Sequence, residues 1–182
     1  MQPESDELLL EHIREGNRDA LARLYERYKV RLYALCFRLL KNEAKAEDAV
    51  HDTFVKIWNG ADAIEKSQSF RSWIFRVARN EAFMMMRQKK SVGDDALETL
   101  WDDDTPLGLL AEKDSKEIIQ RCVDGLKVEY REVLLLREYE QLSYEQIAEI
   151  TGATESSVKS RIFKARKALA KKLEPWFRER VK

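Results

Sequence analysis

Between Leu142 and Arg166 the chain reads LSYEQIAEITGATESSVKSRIFKAR, and few local structures accommodate that order of residues. Ser143 and Gln146 fit the S-x-x-Q capping box, so a helix begins there. Ile147, Ala148 and Ile150 supply a small apolar face. Gly152 stands where this helix must stop and the chain must turn, a place that favours a residue tolerant of positive φ. Thr154 is suited to cap a second helix. In that helix Val158, Ile162, Ala165 and Leu169 recur at three- and four-residue spacing and make one apolar stripe. Ser156, Ser157, Lys159, Ser160, Arg161 and Lys164 lie off the stripe. Short hydrogen-bonding side chains near a helix start, followed by cations, suit the reading of a DNA major groove. The layout is that of a helix-turn-helix. A plain helical hairpin with a solvated basic face is the alternative, and it leaves the agreement of cap, turn and charge unexplained.

The rest of the chain is equally helical in pattern. Only 6 Gly and 3 Pro interrupt 182 residues, of which 36% are charged and 44% hydrophobic. Ser5 can cap a short helix that Gly16 ends. Asn17 opens a long one whose apolar positions, from Leu21 to Leu39, keep the helical period. Lys41-Asn42 marks its end. The next helix turns Ala46, Ala49, Val50, Phe54, Ile57 and Trp58 to one side and Glu47, Asp48, His51, Asp52 and Lys56 to the other. After the break at Asn59-Gly60 and a polar loop to Ser69, a third long helix is expected from about Phe70 to Lys90. A smaller helical set starts near Lys116 and ends in the helix-turn-helix. The expected fold class is all-α: two small helical domains, 1–90 and 116–182, joined by a flexible acidic linker, 91–115.

Net charge is zero, but its distribution is uneven. Thr154 to Lys182 holds ten Lys/Arg against three Glu, whereas Ser91 to Ser115 holds one Lys against eight Asp/Glu. Opposed blocks of this kind point to charged partners. No apolar run approaches the ~18 residues of a membrane span, and the acidic start MQPESDELLL does not read as a secretory leader. No membrane insertion is expected. Cys36 and Cys122 have no metal-like spacing and read as reduced thiols, which suits a cytoplasmic location. No metal or cofactor is expected.

Phe70 to Lys90 contains six Lys/Arg and one Glu, with Phe70, Trp73, Phe75 and Phe83 interleaved among Arg71, Arg76, Arg79 and Asn80. Cations that track phosphates beside rings that stack on unpaired bases compose a single-strand-binding surface. Each ring has packing as its alternative role, and Trp73 and Phe75 fall on different faces. Glu47, Asp48 and Asp52 sit beside Phe54 and Trp58 without a phosphate loop or a nucleophile. They suit docking to a basic partner better than acid-base catalysis. His51 among them reads as a surface histidine.

These segments, in this order, resemble an extracytoplasmic-function (ECF) RNA polymerase sigma factor over nearly the whole chain. EAKAEDAVHDTFVKIW resembles the family's core-polymerase-binding helix, and FRSWIFRVARNEAF its promoter-melting, −10-reading helix. LSYEQIAEITGATESSVKSRIFKARKAL resembles its −35-reading helix-turn-helix. The resemblance implies that Glu47, Asp48, Asp52, Phe54 and Trp58 meet the polymerase clamp helices. It implies that Arg76, Arg79 and Asn80, with Arg71 beside them, face the −10 non-template strand, with Phe70 and Trp73 near the point of strand separation. The loop 59–69 would help to hold a flipped base, and the acidic linker would thread towards the RNA exit path. Ser156, Ser157, Lys159, Ser160, Arg161 and Lys164 would address the −35 duplex while the first helices of the second domain hold the flap. The partners implied are core RNA polymerase, promoter DNA and an anti-sigma factor, with no catalysis by the chain itself. The chain departs from the family pattern at His51, often Gln, at Asp52, often Glu, and at Met84 to Met86, where an Asp is common. A response regulator or simple repressor using the same helix-turn-helix is the competing reading; a helical nucleic-acid hydrolase using the acidic trio is the third.

Overall fold

The structure, a computed structural model, describes residues 4–64, 69–91 and 115–180. Among these residues the regular structure is helical throughout. The elements are α1 (Asp6–Arg14), α2 (Arg18–Leu40), α3 (Glu43–Gly60), a single 3-10 turn (Ala61–Ala63), α4 (Phe70–Ser91), α5 (Ser115–Asp124), α6 (Val128–Glu138), α7 (Tyr144–Thr151) and α8 (Glu155–Arg180).

Short polar side chains decide where the first helices begin. Ser5 accepts a hydrogen bond from the Leu8 amide at 3.2 Å. Asn17 Oδ1 accepts from Asp19 and Ala20 at 3.0 and 3.1 Å, and Asn42 from Lys45 at 2.9 Å. Each cap satisfies amides that the first helical turn leaves without partners. Between α2 and α3 the chain reverses at Lys41, whose left-handed φ of 53° ends one helix as Asn42 starts the next. The direction of α3 is therefore set by two adjacent residues.

Helices α2, α3 and α4 pack on one another, with α1 across α2 and α4. Their stripes meet in a core of Leu24, Tyr28, Leu32, Cys36, Ile57, Ile74, Phe75 and Ala78, each 2% exposed or less. The Cys36 thiol, sealed in this core, is pushed up to about 12 by burial. It and Cys122 are both free and buried. Arg14 donates to the Ala61 and Ile64 carbonyls at 3.0 and 2.8 Å and so ties α1 to the chain leaving α3.

In the second set, α8 lies against α5, α6 and α7. Gly152 closes α7 with φ 67°, and nothing lies within 4 Å of where a Cβ would stand. The glycine is needed for its backbone conformation, not for space. The capping box forms as the residues predict: Ser143 Oγ accepts from the Gln146 amide at 3.1 Å, and Gln146 Oε1 accepts from the Ser143 amide at 2.9 Å.

The two sets are not separate bodies. Helix α4 packs on α7 and α2 on α6, and a single apolar cluster runs through both. Arg131 reaches across, donating to the Leu39 carbonyl at 3.4 Å and the Asp124 carbonyl at 2.7 Å. Lys41 Nζ donates to the same Asp124 carbonyl at 2.8 Å. Of the expected linker, Ser91 and Ser115 are helical, as the last residue of α4 and the first of α5. The rest of that expectation, and residues 65–68 of the expected base-holding loop, fall outside the described residues.

Candidate nucleic-acid interface

In the helix-turn-helix, one side of α8 packs on the core and the other is turned away from it. In α8, Val158, Ile162 and Ala165 are 2% exposed or less, so the opposite side of the helix is the free one. Ser156, Lys159, Ser160 and Lys164 are exposed; Ser157 and Arg161 are half-buried. Thr154 caps the helix by accepting from the Ser157 amide at 3.2 Å. Lys159 is paired with Glu155 at 3.2 Å and stands 5.5 Å from the centre of the Tyr144 ring. Both contacts are at the surface, where such pairs are weak and readily exchanged for phosphate. Phe163, 68% exposed, also lies on this side. Sequence reasoning passed over it, although an apolar residue out of phase with its own helix stripe was a usable signal.

Helix α4 differs. Phe70 is only 2% exposed, edge-on to Tyr28 at 5.9 Å and stacked on Trp73 at 6.0 Å. Its expected place at the strand-separation point is corrected: the ring is part of the core, and Trp73, half-buried, is the member of the pair that reaches the surface. Phe75 is fully buried. Asn80 is exposed and Arg76 half-buried. Arg79 stacks its guanidinium 4.3 Å from the centre of the Phe83 ring, donates to Asn80 Oδ1 at 3.2 Å and donates through Nε to Glu132 of α6. Arg71 donates to the Glu140 carbonyl, and its guanidinium lies 3.8 Å from the Glu140 carboxylate. Arg31 of α2 donates to that carboxylate from Nε at 2.8 Å. The structure thus joins the expected −10 cations to acids of the second set, a contact that sequence reasoning missed.

Glu132 is nearly inaccessible, its side chain 2% exposed. Burial raises its pKa above the usual carboxylate range, while Arg79 beside it and Arg161 from α8 pull it back down. One carboxylate therefore feels a cation from each of the two candidate reading helices.

On α3, Glu47 and Asp48 are exposed, Asp52 and Trp58 half-buried, and His51 exposed. Phe54 is 6% exposed and edge-on to Tyr25 at 4.9 Å. Its expected role as a docking contact is corrected: it supports the acidic face from beneath, because it falls on the apolar stripe. Among the described residues no helix is long and apolar enough to cross a membrane.

Comparison with known proteins bears directly on this arrangement. The family model for sigma-70 region 2 matches residues 24–92, and that for sigma-70 region 4 matches residues 116–169. Together they cover more than half of the chain. The ECF RNA polymerase sigma factor SigW of Bacillus subtilis is 29% identical, across 90% of this chain and 94% of that protein. The ECF RNA polymerase sigma-E factor of Escherichia coli is also 29% identical, across 96% and 97%. Among solved structures, the sigma factor RpoE of Bartonella quintana, crystallised with the anti-sigma factor NepR, superposes with a TM-score of 0.69 at 25% identity. That match covers 84% of this chain and 96% of that one. CnrH in complex with the cytosolic domain of CnrY shares the fold, with a TM-score of 0.71 at 23% identity over 94% and 99%. With its two matched regions in order and these relatives along nearly its full length, the chain belongs to the sigma-70 family, as an ECF sigma factor.

Proposed function

We propose that this chain supplies promoter specificity to core RNA polymerase in the cytoplasm, without catalysis of its own. Residues 1–90 act as the unit that docks on polymerase and opens −10; residues 116–182 act at −35. The acidic face of α3, with Glu47, Asp48, Asp52 and Trp58, meets the basic clamp helices of polymerase. On α4, Arg71, Arg76, Arg79 and Asn80 hold the −10 non-template strand, and Trp73 stacks where the strands part. On α8, Ser156, Ser157, Lys159, Ser160, Arg161 and Lys164 address the −35 duplex from the major groove. An anti-sigma factor, like the NepR bound to the Bartonella relative, covers the polymerase-binding faces. The observation that carries this reading is the pairing, on one chain, of a cationic helix with an accessible aromatic ring and a helix-turn-helix with an open cationic face. The first suits single-stranded DNA and the second suits duplex.

The test mixes the protein with core polymerase and a promoter library and sequences the transcripts. Initiation at a shared pair of elements is expected. Specific duplex binding by the free protein, with no promoter-specific initiation when core enzyme is added, would instead favour a simple repressor.

A further inference from the structure

Glu81 follows Asn80 in α4, but its side chain is turned into the fold and only 3% exposed. A carboxylate sealed in this way needs a donor or a counter-charge. It takes Lys56 of α3, whose Nζ donates to Glu81 Oε1. That choice is not the local one. Lys56 stands four residues after Asp52 on the same helix, with the spacing and the acid-before-base order that favour an ion pair on a helix surface. The local pair does not form: among the described residues, no cation pairs with Asp52. The buried acid wins because water screens its attraction less and because leaving it unpaired costs more. The Lys56 side chain stays 55% exposed, so its stem runs along the surface while its charge is held against α4.

We infer that Glu81 is a positioning residue for docking on polymerase: by holding the Lys56 ammonium it leaves the Asp52 carboxylate without a local counter-ion and keeps the outer face of α3 acidic. The inference rests on the proposed role of that face. Asp52 lies there with Glu47 and Asp48, both exposed. A lysine folded back onto Asp52 would cancel one of three carboxylates and set a cation against a basic partner, which slows encounter as well as weakening the complex. The sequence places Lys56 among the acids of this face; the fold turns its charge away from them, towards α4.

The experiment uses the full chain with core RNA polymerase and measures Kd for wild type, E81Q, K56Q/E81Q, D52N and D52N/E81Q. Glutamine keeps the shape of Glu81 and releases Lys56. E81Q should raise Kd about two- to fivefold, the range of one exposed ion pair. K56Q/E81Q should return to the wild-type value, because no cation is left to cover Asp52. In the D52N background, E81Q should add nothing. On the free chain, a denaturation cycle over Lys56 and Glu81 should show favourable coupling, and simple additivity would overturn the pair itself. An unchanged Kd for E81Q would overturn the positioning role. So would an equal rise in K56Q/E81Q, or in both Asp52 backgrounds, since Glu81 would then act through the fold or through net charge. If E81Q loses helicity by circular dichroism, K56Q alone carries the test. Its Kd should match wild type, because Lys56 is already withdrawn, and binding tightened by the same factor would overturn the inference. A wild-type chain that shows the coupling but does not bind core polymerase would remove the proposed function, and the inference with it.

Discussion

Helices α4 and α8 are both cationic, and both are proposed to meet promoter DNA, yet the fold treats their charges differently. In α8 the acids that answer the cations are close by and exposed: Glu155 for Lys159, Glu138 for Arg166 and Glu174 for Arg178. Surface pairs of this type contribute about 0–1 kcal/mol and are screened by salt. In α4 the answering acids come from the other half of the chain, Glu132 and Glu140, and are largely buried. The α8 pairs lie at the surface of the second set; the Arg71 and Arg79 pairs of α4 need the two halves to be together. The difference teaches that a row of cations on a helix does not by itself report readiness to bind. As proposed readers of promoter DNA, α8 holds its cations in exposed surface pairs, whereas α4 has Arg71 and Arg79 against acids of the second set.

The largest contrast lies between two phenylalanines. Phe75 of α4 is fully buried, and Phe163 of α8 is 68% exposed. Phe75→Ala should cost about 3–5 kcal/mol of unfolding free energy, because it leaves a void between α2 and α4. Phe163→Ala should stay within about 0.5 kcal/mol. Chemical denaturation of both variants measures this directly. A small loss at Phe75 would mean that α4 does not seat as described, and the contrast between the helices would collapse.

Next in size is the effect on promoter use. Arg161→Ala should lower initiation at promoters with a −35 element by about tenfold, near the 1–3 kcal/mol range for a base-reading arginine, and should spare templates that lack one. Equal loss on both templates would take Arg161 out of the −35 contact. Arg79→Ala should show a smaller net loss. It removes a phosphate partner but also releases the hold of Glu132 on α4, and the two effects oppose each other. A loss at Arg79 as large as at Arg161 would argue that its contact with Glu132 restrains nothing.

Ser143→Ala should cost about 1 kcal/mol, the usual worth of a helix cap, and thermal melting of the variant checks it. This cap belongs to the part of the molecule that could be read directly from residues. Ser143, Gln146 and Gly152 act on neighbours three to six positions away, so their effects are written locally. The same is true of Asn17. What could not be read is what packs against what across the chain. Helical period tells which side of α6 is apolar; it does not tell that Glu132, in VEYREVLLLRE, is buried against a helix more than fifty residues earlier. The aromatics failed for a related reason. Phe54 and Phe70 have the composition of contact residues, and only the packing of Tyr25 and Tyr28 on them decides for the core. Phe163 lies off the apolar stripe of α8, so helical period alone assigns it no packing partner.

The smallest effect is one of pH, and it bears on the same contact. Burial raises the pKa of Glu132 above that of the unfolded chain, which is about 4.3 for glutamate. Across the interval between these two values the folded protein binds more protons than the unfolded one. Stability therefore falls as pH rises from the ordinary carboxylate range through the raised folded value, and this contribution is fully present only below the unfolded value. Arg79 and Arg161 moderate the fall by favouring the charged form. E132Q has no proton to lose, so its melting temperature should decline less than that of wild type over the same interval. The difference exists only while Glu132 is sealed between the two halves. In a chain held open the carboxylate is hydrated and the two slopes converge. Matching slopes in the free wild-type chain and E132Q would therefore mean that α4 is as uncovered as α8, and the two helices would differ in composition alone.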